Sequence, residues 1–334
     1  MIIDVHGHYT TAPAELRAWR QRQIAAIGSP FNEPLTISDD QLRQTLEAGQ
    51  IKLQRDRGTD VTLFSPTAGG MEHHVGTFET SLQWSRTVND LIYRVCTLYP
   101  ENFIPVCQLP QSPGVDPATC IEELERCVNQ LGFVGCNLNP DPSDGYWTDP
   151  PMTNRYWYPL YEKLVELDVP AMIHVSGSCN PNFHGTGAHY INGDTTFFMQ
   201  LILADLLKDF PALKFIIPHG GGAVPYHWGR YRGIAQDAGR PAPEELMRNV
   251  WFDTCVYHQK GVETLVEVMG PDNVIFASEM IGAVRGVDAR TGRYFDDTKP
   301  YVDALNLSEA DRGTIFEGNA LKAYPRLAKK LARQ

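Results

Sequence analysis

The chain opens MIIDVHGHYT, and the segment IIDVHGH at residues 2–8 carries the reading that decides the fold. A short apolar, β-branched run at residues 2–5 leads directly into His6 and His8, which are separated only by Gly7. Strand side chains alternate in direction, so both imidazoles point to the same side, with Cα atoms about 7 Å apart by the strand rise. Gly7 is expected to keep the neighbourhood of the two rings open. Alone, an H-x-H pair is a weak signal, because a strand can carry two histidines by chance. Its meaning depends on the rest of the chain.

Similar runs recur along the whole chain, at residues 61–65, 103–107, 133–138, 171–175, 214–218, 250–253 and 274–277. Each is followed by a longer segment with helical periodicity, the pattern of parallel strands joined by crossover helices. Ser38 can cap a helix running through Arg55 to a stop at Gly58, and Thr77 can open another that reaches Leu98 before Pro100. Comparable signals bracket residues 118–131, 155–167, 195–208 and 262–269. Eight strands in this alternation predict an α/β chain folded as a closed (β/α)8, TIM-like barrel, one domain spanning residues 1–334. An open doubly wound sheet is the structural alternative, and the lack of G-x-G-x-x-G after the first strand counts against its dinucleotide-binding form. Two connections are long: residues 64–77, with His73 and His74, and residues 179–195, rich in Gly, Asn and His. Both leave the C-terminal ends of strands, so extended loops are expected at the face where barrel enzymes place their chemistry.

The formal net charge of −11, with Lys and Arg scattered, argues against a nucleic-acid surface. The one locally basic run, residues 322–333, reads as the solvated face of a closing helix. No segment approaches the roughly 18 apolar residues of a membrane span, and the start lacks a leader pattern, so a cytoplasmic protein is expected. The seven cysteines (Cys96, Cys107, Cys120, Cys127, Cys136, Cys179 and Cys255) are odd in number and never form C-x-x-C, against a disulfide framework or a thiolate metal site. Most are expected to be buried; Cys179, among polar residues past a strand end, is the exception.

Position gives the histidine pair its weight. His174 lies in the fifth strand (AMIHV, residues 171–175), His219 follows the sixth (FIIPHGGG, residues 215–222) and Glu279 follows the eighth (IFASE, residues 275–279). Four strand ends thus bring imidazoles and a carboxylate to one face of one barrel, the ligand chemistry of a catalytic zinc or another divalent transition metal. The competing reading is a set of core histidines satisfied by backbone partners.

This constellation resembles the amidohydrolase superfamily, and within it the amidohydrolase-2 branch of decarboxylases, lactonases and hydratases. The resemblance spans nearly the entire chain: H-x-H on strand one, His on strand five, PHGGG after strand six, Phe252-Asp253-Thr254 on strand seven and an acid after strand eight. PTAGGM followed by His73 and His74, NFHGTGAHY (residues 182–190) and SEMIGAVRG (residues 278–286) are most similar to hydratases of the branch. These add water to the C=C bond of an unsaturated polycarboxylate in aromatic-acid catabolism. The resemblance implies His6, His8, His174 and Glu279 as metal ligands, with Zn2+ the expected ion and Mn2+ or Fe2+ as alternatives. The family's fourth ligand is typically aspartate; Glu279 departs from that pattern, which weakens a decarboxylase or hydrolase reading and suits a hydratase.

Zinc can lower the pKa of its water to about 7, so the resemblance implies that this water is the nucleophile. His219 is implied for proton transfer, its bland alternative being a structural residue of the Gly220–Gly222 turn. Glu279 is read as ligand, as base, or as both. A polycarboxylate asks for guanidinium, amide and hydroxyl donors. Arg285 is the first candidate, followed by Asn137, Asn139, His73, Tyr190 and Asn192, while Arg230 and Arg232 read as surface or subunit-contact residues. A metal-dependent decarboxylase, a lactone hydrolase and, outside catalysis, a metal-stabilised binding protein are the competing functions. A homo-oligomer, specifically a dimer, is implied by resemblance alone.

Overall fold

The computed structural model describes residues 1–332, so the last two positions of the chain lie outside the described residues. Its parallel strands are β1 (Ile3–His8), β2 (Val61–Ser65), β3 (Phe103–Pro105, continued past Val106 by Cys107–Gln108), β4 (Cys136–Leu138), β5 (Ala171–Ile173), β6 (Phe215–Ile217), β7 (Val250–Asp253) and β8 (Val274–Ile275). Each pairs in parallel with its sequence neighbour. The Val5 N–H donates to Phe276 O at 3.1 Å, joining the first strand to the continuation of the last. The eight runs read from the sequence are these strands, in an α/β barrel arrangement.

Alternation sorts the strand side chains into two apolar environments. Val61, Leu63, Met172, Ile216, Trp251, Ile275 and Ala277 pack together inside the ring, with Tyr324 and Leu327 from near the C-terminus. Phe64, Leu138, Ile173, Phe215, Ile217 and Phe252 face the other way, into the larger cluster shared with the surrounding helices. Continuing the inward parity by two residues places His174 after Met172 and Asp253 after Trp251 inside the barrel, at the C-terminal end of their strands.

β1 breaks this rule in a way that periodicity does not reveal. Ile3 and Val5 point inward with the interior cluster, so strict alternation would turn His6 and His8 outward. The pairing with β2 shifts between Asp4 and Gly7: Asp4 sits opposite Thr62 but Gly7 opposite Phe64. One extra residue on β1 is a bulge, and it returns both histidines to the interior. Gly7 then faces β2, where a Cβ would lie 2.3 Å from Thr62 Cγ2 and 3.0 Å from Leu63 O. The expected role of Gly7 is therefore corrected: it permits close strand approach and does not open the site.

Helix boundaries follow the capping chemistry with two differences. Ser38 and Gln41 form a reciprocal capping box, and Gly58 (φ 69°) ends the run, but Gly49 divides it into helices Asp39–Ala48 and Gln50–Arg57. Thr77 opens Phe78–Leu98 as expected. The helix expected at residues 195–208 instead begins at Tyr190 and ends at Ile202, because His184 Nδ1 accepts from Gly187 N at 3.0 Å and nucleates a turn at Gly185–His189 ahead of it. The expected long loop is thus half helical. Six of the cysteines are buried, Cys179 is exposed, and all seven are free thiols. Among the described residues no helix is long and apolar enough to cross a membrane.

Gly7→Ala should force β1 and β2 apart and lower stability by about 1–3 kcal/mol, the usual cost of overpacking a filled site. Thermal unfolding checks this, and adding Thr62→Ser, which removes the opposing methyl, should recover part of the loss.

Candidate metal centre and active site

Three histidines are aimed by their Nδ1 atoms. His6 Nδ1 donates to Asp253 Oδ2 at 2.7 Å, and His174 Nδ1 donates to Val175 O at 2.7 Å. His8 Nδ1 lies 2.8 Å from Ser65 Oγ, whose own proton is directed to the carbonyls of Gly7 or Pro66, so the hydroxyl oxygen accepts. With each Nδ1 proton engaged, the three Nε2 atoms carry lone pairs. Those lone pairs converge: His6 Nε2 and His8 Nε2 are 3.0 Å apart, and His8 Nε2 and His174 Nε2 are 3.3 Å apart. Neither pair holds a proton to share, so this packing repels itself unless a cation stands among the nitrogens.

Burial favours the neutral form. Desolvation, reinforced by the neighbouring imidazoles, drives His8 and His174 well below the ordinary histidine pKa, which keeps their nitrogens free as ligands. Asp253 is fully buried, which works to raise its pKa, but the hydrogen bond from His6, the nearby His219 and the Cys255 backbone N–H hold it below the usual carboxylate value. It is the ionised partner that orients the His6 imidazole, an arrangement common behind metal-binding histidines. Asp4, raised to about 6 by burial, accepts from His6 N at 3.0 Å and Ser278 N at 3.1 Å, tying the bulge to the chain after β8.

His219 and Glu279 complete the cluster. Donor atoms of His6, His174, His219 and Glu279 all lie within 4.8 Å of one another, and all four residues are buried. His219 follows β6 at φ 52°, and glycines at φ 65°, 77° and 63° turn the chain directly after it; a Cβ on Gly221 would lie 2.4 Å from Phe252. Its Nδ1 is 2.9 Å from Asp194 Oδ2, while its Nε2 is buried without a hydrogen-bond partner. Burial alone would lower its pKa, but Asp194 and the nearby Glu279 and Asp253 raise it to about 9. Glu279, at φ 57°, accepts a short hydrogen bond from the Tyr257 hydroxyl through Oε2. The donor set of imidazoles and one carboxylate, with an orphaned Nε2 beside it, fits a divalent transition metal.

The other expected residues separate clearly. Tyr190 is buried and stacks edge-on against His174, centroids 5.0 Å apart, and lies 5.3 Å from His219. It belongs to the site. Asn137 donates to Ser65 Oγ at 3.2 Å and so supports the partner of His8. Asn139 Oδ1 accepts from Asp141 N at 2.9 Å, and its amide nitrogen is buried without a partner. His73 turns inward, with Nδ1 3.1 Å from Gln111 O. Asn192 engages Thr196 one turn along its own helix, and Arg285 is exposed with no ion pair or hydrogen bond among the described residues. Sequence reasoning misses Asp253, Asp194, Tyr257 and Ser65 as functional residues. Only Asp253 has a visible signal, an acid ending a strand run in the Phe252-Asp253-Thr254 motif.

The family model described as Amidohydrolase matches residues 3–326. The chain belongs to this amidohydrolase family. One curated relative, 2-keto-4-carboxy-3-hexenedioate hydratase of Sphingobium sp. (strain NBRC 103272 / SYK-6), is 57% identical over 99% of this chain and 98% of its own length. The crystal structure of 4-oxalomesaconate hydratase from Rhodopseudomonas palustris superposes with a TM-score of 0.93 at 56% identity, covering 99% of this chain and 98% of that one. More distant members share the fold: a dihydroxybenzoic acid decarboxylase from Polaromonas sp. JS666, solved with bound manganese, has a TM-score of 0.73 at 20% identity, covering 99% and 98%.

Asp253→Asn keeps the shape but removes the charge behind His6, and should weaken metal affinity roughly 10- to 100-fold in a chelator competition. A second outcome concerns pH. Burial lowers His73 from 6.5 to about 4, so it stays neutral in the folded protein while the unfolded chain protonates first. Its contribution is complete above pH 6.5 and is lost as pH falls toward 4, worth about 3 kcal/mol when fully expressed. Urea unfolding at about pH 7 and about pH 4.5 should therefore differ less for His73→Gln than for the parent chain.

Proposed function

We propose that this amidohydrolase is a metal-dependent hydratase that adds water to 4-oxalomesaconate, giving 4-carboxy-4-hydroxy-2-oxoadipate in the protocatechuate 4,5-cleavage route. The observation that carries this is the near full-length match, at 57% identity, to a hydratase named for a 4-carboxy-3-hexenedioate keto acid, against 24% for a curated decarboxylase of the family. The substrate is an unsaturated keto acid with three carboxylates. Addition places hydroxyl on C4, which is activated by the ketone two carbons away, and a proton on C3.

His6, His8, His174 and Glu279 hold the metal, and zinc is the ion their chemistry suits. When bound, such a cation supplies Lewis acidity that polarises oxygen ligands and eases deprotonation of water. The protein's own groups perform the proton transfers. Glu279, steadied through one oxygen by Tyr257, takes the proton from the attacking water. His219, whose Nδ1 is engaged by Asp194, carries a proton on the free Nε2 and delivers it to C3. The Asp194 carboxylate raises its pKa against the effect of burial, which favours the protonated state an acid requires. Tyr190 closes the wall beside His174 and His219 and offers a hydroxyl to the substrate.

Incubation of the metal-loaded chain with 4-oxalomesaconate should give a product heavier by one water, with no carbon dioxide released; carbon dioxide release would mark a decarboxylase instead. Elemental analysis should return one zinc per chain. His219→Asn should keep that metal while kcat falls roughly 10²- to 10⁴-fold, as expected for loss of a general acid. Loss of the metal in this variant would make His219 a ligand and overturn the assignment.

A further inference from the structure

The three carboxylates of the proposed substrate need cationic or hydrogen-bonding seats, and the arginine expected to supply one, Arg285, stands exposed with no ion pair or hydrogen bond among the described residues. The loop after β2 supplies another group. In its His73-His74 pair, His73 is buried against Gln111 O, while His74 turns the other way. His74 Nδ1 is 2.8 Å from Asp144 Oδ2, and its side chain is 31% exposed against 1% for that of Asp144. The Asp144 carboxylate also accepts from Ser176 Oγ, at 3.0 and 2.9 Å, and Ser176 lies two residues beyond His174. Asp144 therefore ties the loops after β2, β4 and β5 together. It sits at φ 51°, a strained setting for a non-glycine residue.

The same loop adjoins the metal centre. A Cβ on Gly69 would lie 2.7 Å from the Tyr190 hydroxyl, and Tyr190 stacks on His174. Tyr190 also feels the charge of both Glu279 and Asp144. An imidazole clamped by a buried carboxylate, part-exposed and with no partner for its Nε2 among the described residues, is a built donor on that loop.

We propose that His74, rather than Arg285, seats a substrate carboxylate remote from the reacting carbons, with Asp144 as its positioning residue. The inference rests on the tricarboxylate substrate assigned under Proposed function. The charged groups facing His74 are Asp144, Glu72 and Arg20, and the titratable but neutral His73 adjoins it. Arg20 is buried, pairs with Glu72 at 3.5 Å and donates to Gln23 at 2.7 Å and Met71 O at 3.3 Å, although its Nε lacks a hydrogen-bond partner, so the part-exposed His74 is the more accessible cation for an incoming anion. The Asp144 hydrogen bond, working against partial burial, raises the His74 pKa, which favours the cation that an anionic ligand requires.

His74→Gln, metal-loaded, should raise the KM for 4-oxalomesaconate at least tenfold with kcat within about threefold and metal content unchanged. Asp144→Asn should raise KM by a smaller factor. An unchanged KM, or a fall in kcat at constant KM, overturns the anchor role. Calorimetric titration with propane-1,2,3-tricarboxylate needs no turnover and separates the two readings. At least tenfold weaker binding to His74→Gln supports the anchor even if 4-oxalomesaconate proves not to be a substrate. Equal binding to both proteins, or no binding to the parent chain, overturns it.

Discussion

An imidazole nitrogen without a proton carries a lone pair, and three such lone pairs are forced together at the centre of this molecule. His6 Nε2 and His8 Nε2 approach to 3.0 Å in a buried site. Asp253, Ser65 and the Val175 carbonyl make the approach unavoidable by fixing each ring through its opposite edge. The resulting repulsion is relieved by a cation and by little else, so the surrounding hydrogen bonds are in effect a statement about charge. The bulge in β1, the glycine that allows it and the Asp4 link to Ser278 all serve that placement.

Much of this is legible in the chain because strands and helices announce themselves through periodicity. The eight apolar runs are the eight strands, and Ser38, Gly58 and Thr77 act as the caps their chemistry suggests. His174 can be placed on the inner face because β5 is regular. Alternation misplaces β1 in detail because a bulge has no periodic signature: Ile3 and Val5 alternate correctly, and only pairing with β2 reveals the extra residue before Gly7. Turn chemistry hides the start of the Tyr190 helix, where a histidine side chain does the capping that a serine or aspartate would advertise. Partners such as Asp194 and Tyr257 are set by contacts between distant segments, which spacing along the chain does not encode.

The centre divides its acidic groups by environment. Asp253 is held ionised behind His6, whereas burial raises Asp194 to about 6 even beside His219. One carboxylate fixes the electrostatics of a ligand; the other shares a proton with an imidazole whose remaining nitrogen is unpartnered. Glu279 stands apart from both, steadied by a phenol and not by a cationic side chain. A single fold thereby gives each of two imidazoles its own buried carboxylate, and leaves Glu279 as the one acid proposed both to hold the metal and to accept a proton.

His6 and His8 belong to the first strand and Glu279 follows the last, while the hydrogen bond from Val5 to Phe276 is what unites those two edges. Biosynthesis runs from one end of the polypeptide to the other, so the ribosome delivers imidazoles long before it delivers the carboxyl group. A chain interrupted before residue 276 lacks both the partner for the Val5 N–H and the carboxyl group of the proposed coordination set. Metal capture by the proposed ligand set is therefore an event of the finished barrel.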